Sequence, residues 1–386
     1  MTYTLRDACD LAEAVRYAED IPATAICGAA STEKDRIKRY FTTSSLRISP
    51  QLTPELSIIL TNTCNFLRLP KENVHAWVYP SAEIQAYCVG NDAQECFIRV
   101  SSGVVQLLNA KELAFVIGHE VGHFLLRHNS DSDIFSGSSL EDTMRSKSAE
   151  ISADRLGLLA CGDLEPAICA MLKTLSGLGG DHINLDIPAF LNELRSVSEI
   201  RTLDAEIWNT HPPLPLRVKA LLWFSMGKTF ASYTDGDVAG KMEKNALDQK
   251  VFNDMKSQLG DFTQQQFDQA EEEVQLWLSA VAVCRDGRLD KSEQQKLNTD
   301  LGLEATQKLI SFLSMHSAEE IDAVLLEKLN SACENYQHLA PTRSRQVIPE
   351  LINEVSSRFQ QSDLRQFIRD KSHLLSEISV NIISSG

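Results

Sequence analysis

The run His119-Glu120-Val121-Gly122-His123 gathers two imidazoles and a carboxylate within five residues. Side chains four apart on an α-helix share one face, because four residues is slightly more than one turn. Two imidazoles so placed can each give one ring nitrogen to a single zinc ion, and the glutamate between them can reach a water beside it. A hydrolytic zinc site needs a third protein ligand and one position left for water. Glu150 is the expected third ligand, since it opens a predicted helix and can approach from a separate element. Asp154 follows one turn later on the same face. Its carboxylate is expected to accept the outer N–H of His119, fixing the tautomer and strengthening the ligand. The expected cofactor is one Zn2+ per chain.

Glu120 is then the expected general base, taking a proton from the attacking water and returning it to the leaving amine. An oxyanion developing on a peptide carbonyl needs donors aimed at it. His211 and Arg217, in Thr210-His211-Pro212-Pro213-Leu214-Pro215-Leu216-Arg217, are the expected ones, the prolines stiffening the segment.

The elements that must position these groups are legible in part. Residues 5–20 carry an apolar stripe (Leu5, Ala8, Leu11, Ala12, Val15) and predict a short amphipathic helix. Thr53-Pro54-Glu55 predicts a helix start with a threonine oxygen cap, the helix running to Leu67. Three strands are expected at 74–79, 87–89 and 96–101. Asn109 with Glu112 predicts a reciprocal cap opening the histidine helix. Asn129 to Lys147 reads as a Ser- and Asp-rich loop, followed by a helix at 148–160 and further helices at 163–177, 189–208 and 214–226. The strand Phe97–Ser101 is expected at a sheet edge, where an extended peptide could pair with it. His128 is expected on the surface, facing away from the metal. His75, His182, His316, His338 and His373 are expected to be structural or solvated.

This arrangement resembles the M48 family of zinc metallopeptidases, the gluzincins that include CAAX prenyl protease and HtpX-like enzymes. The resemblance runs from Val74 to Trp223 through Ser102-Gly103-Val104-Val105, the segment Glu112 to His123, Glu150-Ile151-Ser152-Ala153-Asp154, and His211-Pro212 with Arg217. It implies zinc ligands at His119, His123 and Glu150, a base at Glu120, and supporting roles for Asp154, His211 and Arg217. Many members carry membrane spans and an Asn-Ala-Phe-like segment before the edge strand. Here no such span is visible, and the segment is Gln85-Ala86-Tyr87.

The chain has 386 residues, more than one core usually holds, with 43% hydrophobic and 23% charged residues as in ordinary globular proteins. The expected organisation is α+β: an N-terminal helical extension at 1–50, a mostly helical zincin-like metallopeptidase domain with a small sheet at 51–230, and an all-helical domain at 241–386. A net charge of −16 argues against nucleic acid or anionic membrane as a bulk partner. No signal-peptide core or membrane span is visible, so a cytoplasmic location is expected. The nine cysteines form no C-x-x-C pair and are expected to be reduced and buried.

Beyond residue 240 helices are expected at 243–259, 263–284, 290–300, 303–315, 317–335, 343–360 and 362–381. Val283 to Glu293 resembles the second half of a calcium loop, but Ala282 and Cys284 stand where oxygen ligands belong. The Asp286-Gly287 and Glu293 pattern in an all-helical segment resembles TerB-like domains, which implies a regulatory or partner-binding module. The functional expectation is a zinc endopeptidase acting on protein or peptide substrates, regulated through the helical half. The alternative is a non-catalytic zinc-containing scaffold or stress-response partner-binding protein.

Overall fold

A computed structural model describes residues 4–16, 31–89, 95–128, 139–184, 186–190, 192, 209, 211–234, 236–284, 289, 291–317, 320–359 and 364–371. The chain divides into two compact units, Met1–Gly137 with Asp142–Leu259, and Ser138–Glu141 with Gly260–Gly386. Its described elements are mostly helices, with one four-stranded mixed sheet, an α+β arrangement.

In the first unit, helix α1 (Leu5–Val15) opens on a capping box in which Thr4 accepts the Asp7 N–H and Asp7 accepts the Thr4 N–H. Its stripe of Ala8, Leu11, Ala12 and Val15 is fully buried. The helix stops at Val15 rather than residue 20: Arg16 already has extended backbone, and 17–20 lie outside the described residues. Helix α2 (Ser31–Ser44) and the two-residue strand β1 (Leu46–Arg47) follow. Helix α3 (Pro54–Phe66) has proline in its first turn as expected, but Thr53 does not cap it. The Thr53 hydroxyl instead accepts the Ser49 N–H and donates to the Ser49 carbonyl, closing the preceding turn.

Strands β2 (Val74–Tyr79), β3 (Ala86–Val89) and β4 (Cys96–Ser101) complete the sheet, in the order β1-β2-β4-β3. β2 and β4 are parallel, Val74 opposite Cys96, while β3 runs antiparallel to β4 with Ala86 opposite Val100. β4 is therefore interior, and the edge strands are β1 and β3. This overturns the expectation that Phe97–Ser101 lies at an edge. Every residue of β4 is buried because both faces of the sheet are covered. Val74, Ala76, Cys88, Cys96, Ile98 and Val100 enter the main core. The opposite face stacks Trp77 and Phe97 against Phe41 of α2. There the Arg99 guanidinium lies against Phe41 and Tyr79 and donates to the Tyr87 and Ser45 hydroxyls.

Helices α4 (Ser102–Leu107), α5 (Ala110–Leu125), α6 (Leu140–Cys161), α7 (Leu164–Ser176), α8 (Leu214–Ser225) and α9 (Lys228–Tyr233) follow. The start of α6 corrects the expected loop at 129–147. Residues 140–147 are helical, with Leu140, Thr143 and Lys147 fully buried, so tertiary burial outweighs a polar local composition. Residues 129–138, and nearly all of the helix expected at 189–208, lie outside the described residues.

Helix α10 (Lys244–Val283) is one continuous helix where two were expected, Gly260 being carried within it. Its first part belongs to the first unit, where Asp248 meets Arg155 of α6 at 2.7 Å, both side chains almost fully buried. In the second unit every described element is helical: the remainder of α10, then α11 (Lys291–Leu301), α12 (Leu303–Leu313), α13 (Ile321–Leu339), α14 (Pro341–Arg358) and α15 (Leu364–Lys371). They enclose a separate apolar core built on Leu278, Leu297, Leu309, Leu329, Tyr336 and Ile348. Residues 285–288 and 290, the centre of the calcium-like segment, and the tail from 372 lie outside the described residues.

Candidate metal centre

Helix α5 begins on Asn109, whose side chain accepts the Lys111 and Glu112 N–H groups while Glu112 accepts the Asn109 N–H. The buried Glu112 carboxylate also receives Lys173 of α7 at 2.7 Å, joining the two helices. One side of α5 is core (Leu113, Ile117, Val121, Phe124), leaving His119, Glu120 and His123 less buried. Two glycines of α5 let α6 approach to backbone contact. A Cβ on Gly118 would stand 2.5 Å from the Ala160 Cβ, and one on Gly122 would stand 3.1 Å from the Ala153 Cα. That crossing delivers Glu150 and Asp154 to the two histidines.

Nε2 of His119 lies 3.0 Å from Nε2 of His123. Glu150 places Oε1 3.4 Å from His123 Nε2 and Oε2 3.5 Å from His119 Nε2. Donors bonded to one tetrahedral zinc at about 2.0–2.1 Å would stand about 3.3 Å from each other. The three donors therefore already have the spacing of a zinc site, and these residues are the group among those described that could hold a metal. A second observation fits the same ion. Glu150 Oε2 is buried without a hydrogen-bond partner and faces His119 Nε2, which offers a lone pair when the ring's one hydrogen sits on Nδ1, 3.0 Å from Asp154. Lone pairs converging in this way repel one another unless a cation stands between them.

The surroundings hold the two carboxylates ionised, whereas for His123 burial, which disfavours the charged ring, is outweighed by Glu150, Glu120 and Asp154, which raise its pKa. Burial alone would raise the Glu150 carboxyl, but His123, His119 and Arg217 keep it well below the usual range. Asp154, also buried, is held low chiefly by Arg217 and then by His119. Arg217 donates twice to Asp154, Nε to Oδ2 at 2.8 Å and Nη2 to Oδ1 at 2.6 Å, and stands 3.5 Å from Glu150. Burial works against its charge, but Asp154 and Glu150 keep it protonated. His211 brings Nε2 to 3.4 Å from Glu150 Oε1 with a 59% exposed side chain. Partial desolvation pushes that ring toward neutrality, Glu150 opposing and Arg217 reinforcing.

All the predicted site residues thus lie on α5, α6, the first turn of α8 and the segment entering it. Two neighbours were missed. His128, expected on the surface, is buried and sets Nδ1 3.0 Å from Nδ1 of His123. It returns to the site because the chain reverses at the end of α5, a turn without the glycine that usually signals it. Lys147 is fully buried one turn before Glu150 and donates to the Asn209 carbonyl, two residues from His211. Burial pushes its ammonium pKa down to about 8. Its position in a presumed loop hid it.

A histidine pair and a glutamate from a neighbouring helix, beside a small mixed sheet, thus form a group that could hold a metal ion. A family profile described as Peptidase family M48 matches residues 50–144. The match takes in His119 to His123, whereas Glu150, Asp154, His211 and Arg217 lie beyond it. The chain is 24% identical over 171 residues to the plastoglobule-localized metallopeptidase 48, chloroplastic, of Arabidopsis thaliana, covering 40% of this chain and 49% of that protein. It is also 33% identical over 70 residues to a protease HtpX homolog of Lactobacillus helveticus, covering 18% of this chain and 23% of that protein. The chain therefore spans about half or less of the curated relatives it matches. Among the described residues no helix is long and apolar enough to cross a membrane.

Proposed function

We propose that the chain is a zinc-dependent endopeptidase. The observation that carries the reading is the pair of imidazole nitrogens 3.0 Å apart, each with a Glu150 oxygen 3.4–3.5 Å away, and with the outer nitrogens of both histidines already engaged. Zinc held by His119, His123 and Glu150 would acidify water and polarise a carbonyl. Glu120, on the same helix face, takes the proton from the attacking water and passes it to the leaving amine nitrogen. The exposed His211 ring is the donor we assign to the oxyanion. Arg217 acts by holding Asp154 and Glu150, since its guanidinium is engaged with both.

The edge strand β3 is where a substrate would add in extended form. Ser101 N–H donates to the Gln85 carbonyl, so by alternation Tyr87 also faces β4, while the backbone groups of Ala86 and Cys88 face outward. Ala86→Pro removes an outward donor and spares the ladder. It should slow peptide cleavage while zinc content stays unchanged.

Glu120→Gln tests the central reading. The variant should bind zinc as the parent does and cleave peptides at least about 100-fold more slowly. Equal turnover with the glutamine would refute the assignment of Glu120. A second reading rests on His211, which stands as near Glu150 as His123 does. As a fourth ligand it would close the site to water, making the protein a zinc-containing scaffold; His211→Ala would then raise turnover instead of lowering it. For the helical second unit we retain a TerB-like, regulatory role. A truncation to test it belongs after Leu259, because Asp248 is part of the first unit.

A further inference from the structure

His128 lies one residue beyond the turn that ends α5, and both its backbone and its ring return to His123. Arg127 adopts a left-handed conformation, φ 60°, unusual for a residue with a side chain. With that reversal the His128 N–H donates to the His123 carbonyl at 2.9 Å and the Arg127 N–H to the Phe124 carbonyl at 3.1 Å. This pair of bonds is the Schellman termination of a helix, formed here without glycine. The Leu126 carbonyl is also satisfied, by Arg16 Nη2 at 3.1 Å. The turn carries the His128 ring back under the second ligand, with the Nδ1 atoms 3.0 Å apart and the residue 7% exposed.

Two Nδ1 atoms at that distance need one hydrogen between them. For His123 to present a lone pair on Nε2 toward His119 and Glu150, its hydrogen must sit on Nδ1. His123 Nδ1–H then donates to a bare Nδ1 of His128, and His128 carries its own hydrogen on Nε2. We propose that His128 is the positioning residue that sets the tautomer and ring orientation of the ligand His123. This rests on the zinc reading of the site. The two histidine ligands are thereby supported unlike each other. His119 leans on the carboxylate of Asp154, an anion, whereas His123 leans on a neutral imidazole. The strained Arg127 turn serves to deliver that imidazole.

The test compares His128→Asn, whose Oδ1 can take the place of Nδ1 as acceptor, with His128→Leu, which fills similar space without one. Zinc affinity is read by chelator competition on the full chain, ligand environment by the visible spectrum of the cobalt-substituted protein, and packing by the melting temperature of the zinc-free protein. His128→Leu should bind zinc about 10–100-fold more weakly than the parent, with a shifted cobalt spectrum. His128→Asn should stay within about threefold of the parent, with both zinc-free variants melting alike. Equal weakening by Asn and Leu, or tight binding by Leu, overturns the proposal. Should either variant fail to fold, nitrogen-15 spectra of the zinc-loaded parent decide. His123 must be the Nδ1–H tautomer and His128 the Nε2–H tautomer, and the reverse assignment refutes the role. A parent chain that takes up no zinc would instead overturn the metal reading itself.

Discussion

Replacing Asp154 by asparagine separates what this carboxylate does for the metal from what it does for the fold. Asp154 is 1% exposed, and its two oxygens accept three N–H groups, two from Arg217 and one from His119. Asparagine keeps the shape but offers one oxygen, and its amide hydrogens face N–H groups where an acceptor stood. Arg217 then keeps Glu150, at 3.5 Å, as its nearest counter-ion, with Glu120 acting from further off. Opposite charges about 4 Å apart attract by about 4 kcal/mol at an effective dielectric of 20, and breaking buried pairs costs about 3–5 kcal/mol. The zinc-free protein should therefore lose about 3 kcal/mol, lowering its melting temperature by on the order of 10 °C for a unit of this size. Zinc affinity should fall about 10–100-fold, because the His119 ring loses an anionic partner. Asp154→Asn combined with Arg217→Met removes the uncompensated cation, so stability should largely return while zinc stays about tenfold weaker. Differential scanning calorimetry and chelator competition measure the two effects separately. If Asp154→Asn melts and binds zinc as the parent does, the account of this carboxylate is wrong.

Asp248→Ala removes the carboxylate facing the buried Arg155 guanidinium and should destabilise the first unit by about 3–5 kcal/mol, whereas Arg155→Met with Asp248→Leu should cost less; equal losses in thermal unfolding would refute this. Glu95 is bridged by Lys38 at 2.8 Å and by His75 at 3.2 Å, which together hold its carboxyl at about 2, Lys38 contributing most. Its folded-state pKa lies below the unfolded one, so its stabilisation is complete above about pH 4.5 and fades as pH falls toward about 2. Partial solvent exposure limits that contribution to about 1 kcal/mol. Glu95→Gln should flatten the acid limb of a stability-against-pH curve by that amount, and an unchanged limb would count against the bridge.

The local structure around the site was legible wherever a local rule decides it. The four-residue spacing of His119 and His123, the Asn109–Glu112 cap and the alternation of Val74–Tyr79 each depend on neighbours in sequence, and each appears as expected. What stayed hidden depends on partners far along the chain. Strand order is one case: β4 carries the strongest strand pattern, but nothing local says that β2 and β3 would flank it. Helix α6 is another, since its first two turns look like polar loop and become helical with Leu140, Thr143 and Lys147 buried. His128 was misplaced because an ideal helix was extended past Leu125. The real chain turns left-handed at Arg127, a position where glycine would have given warning.

The near contact of α5 with α6 has a consequence for which ion the centre accepts. With Gly118 and Gly122 pressed against Ala160 and Ala153, the two backbones have no slack, so the separation of the imidazoles from Glu150 is a property of the crossing itself. A cation such as calcium prefers six to eight oxygens at about 2.3–2.6 Å and would need that crossing to spread. An ion with bonds as short as those of zinc, about 2.0–2.1 Å to imidazole, would need no such movement of the main chain. Larger residues at 118 or 122 would loosen the discrimination together with the fold.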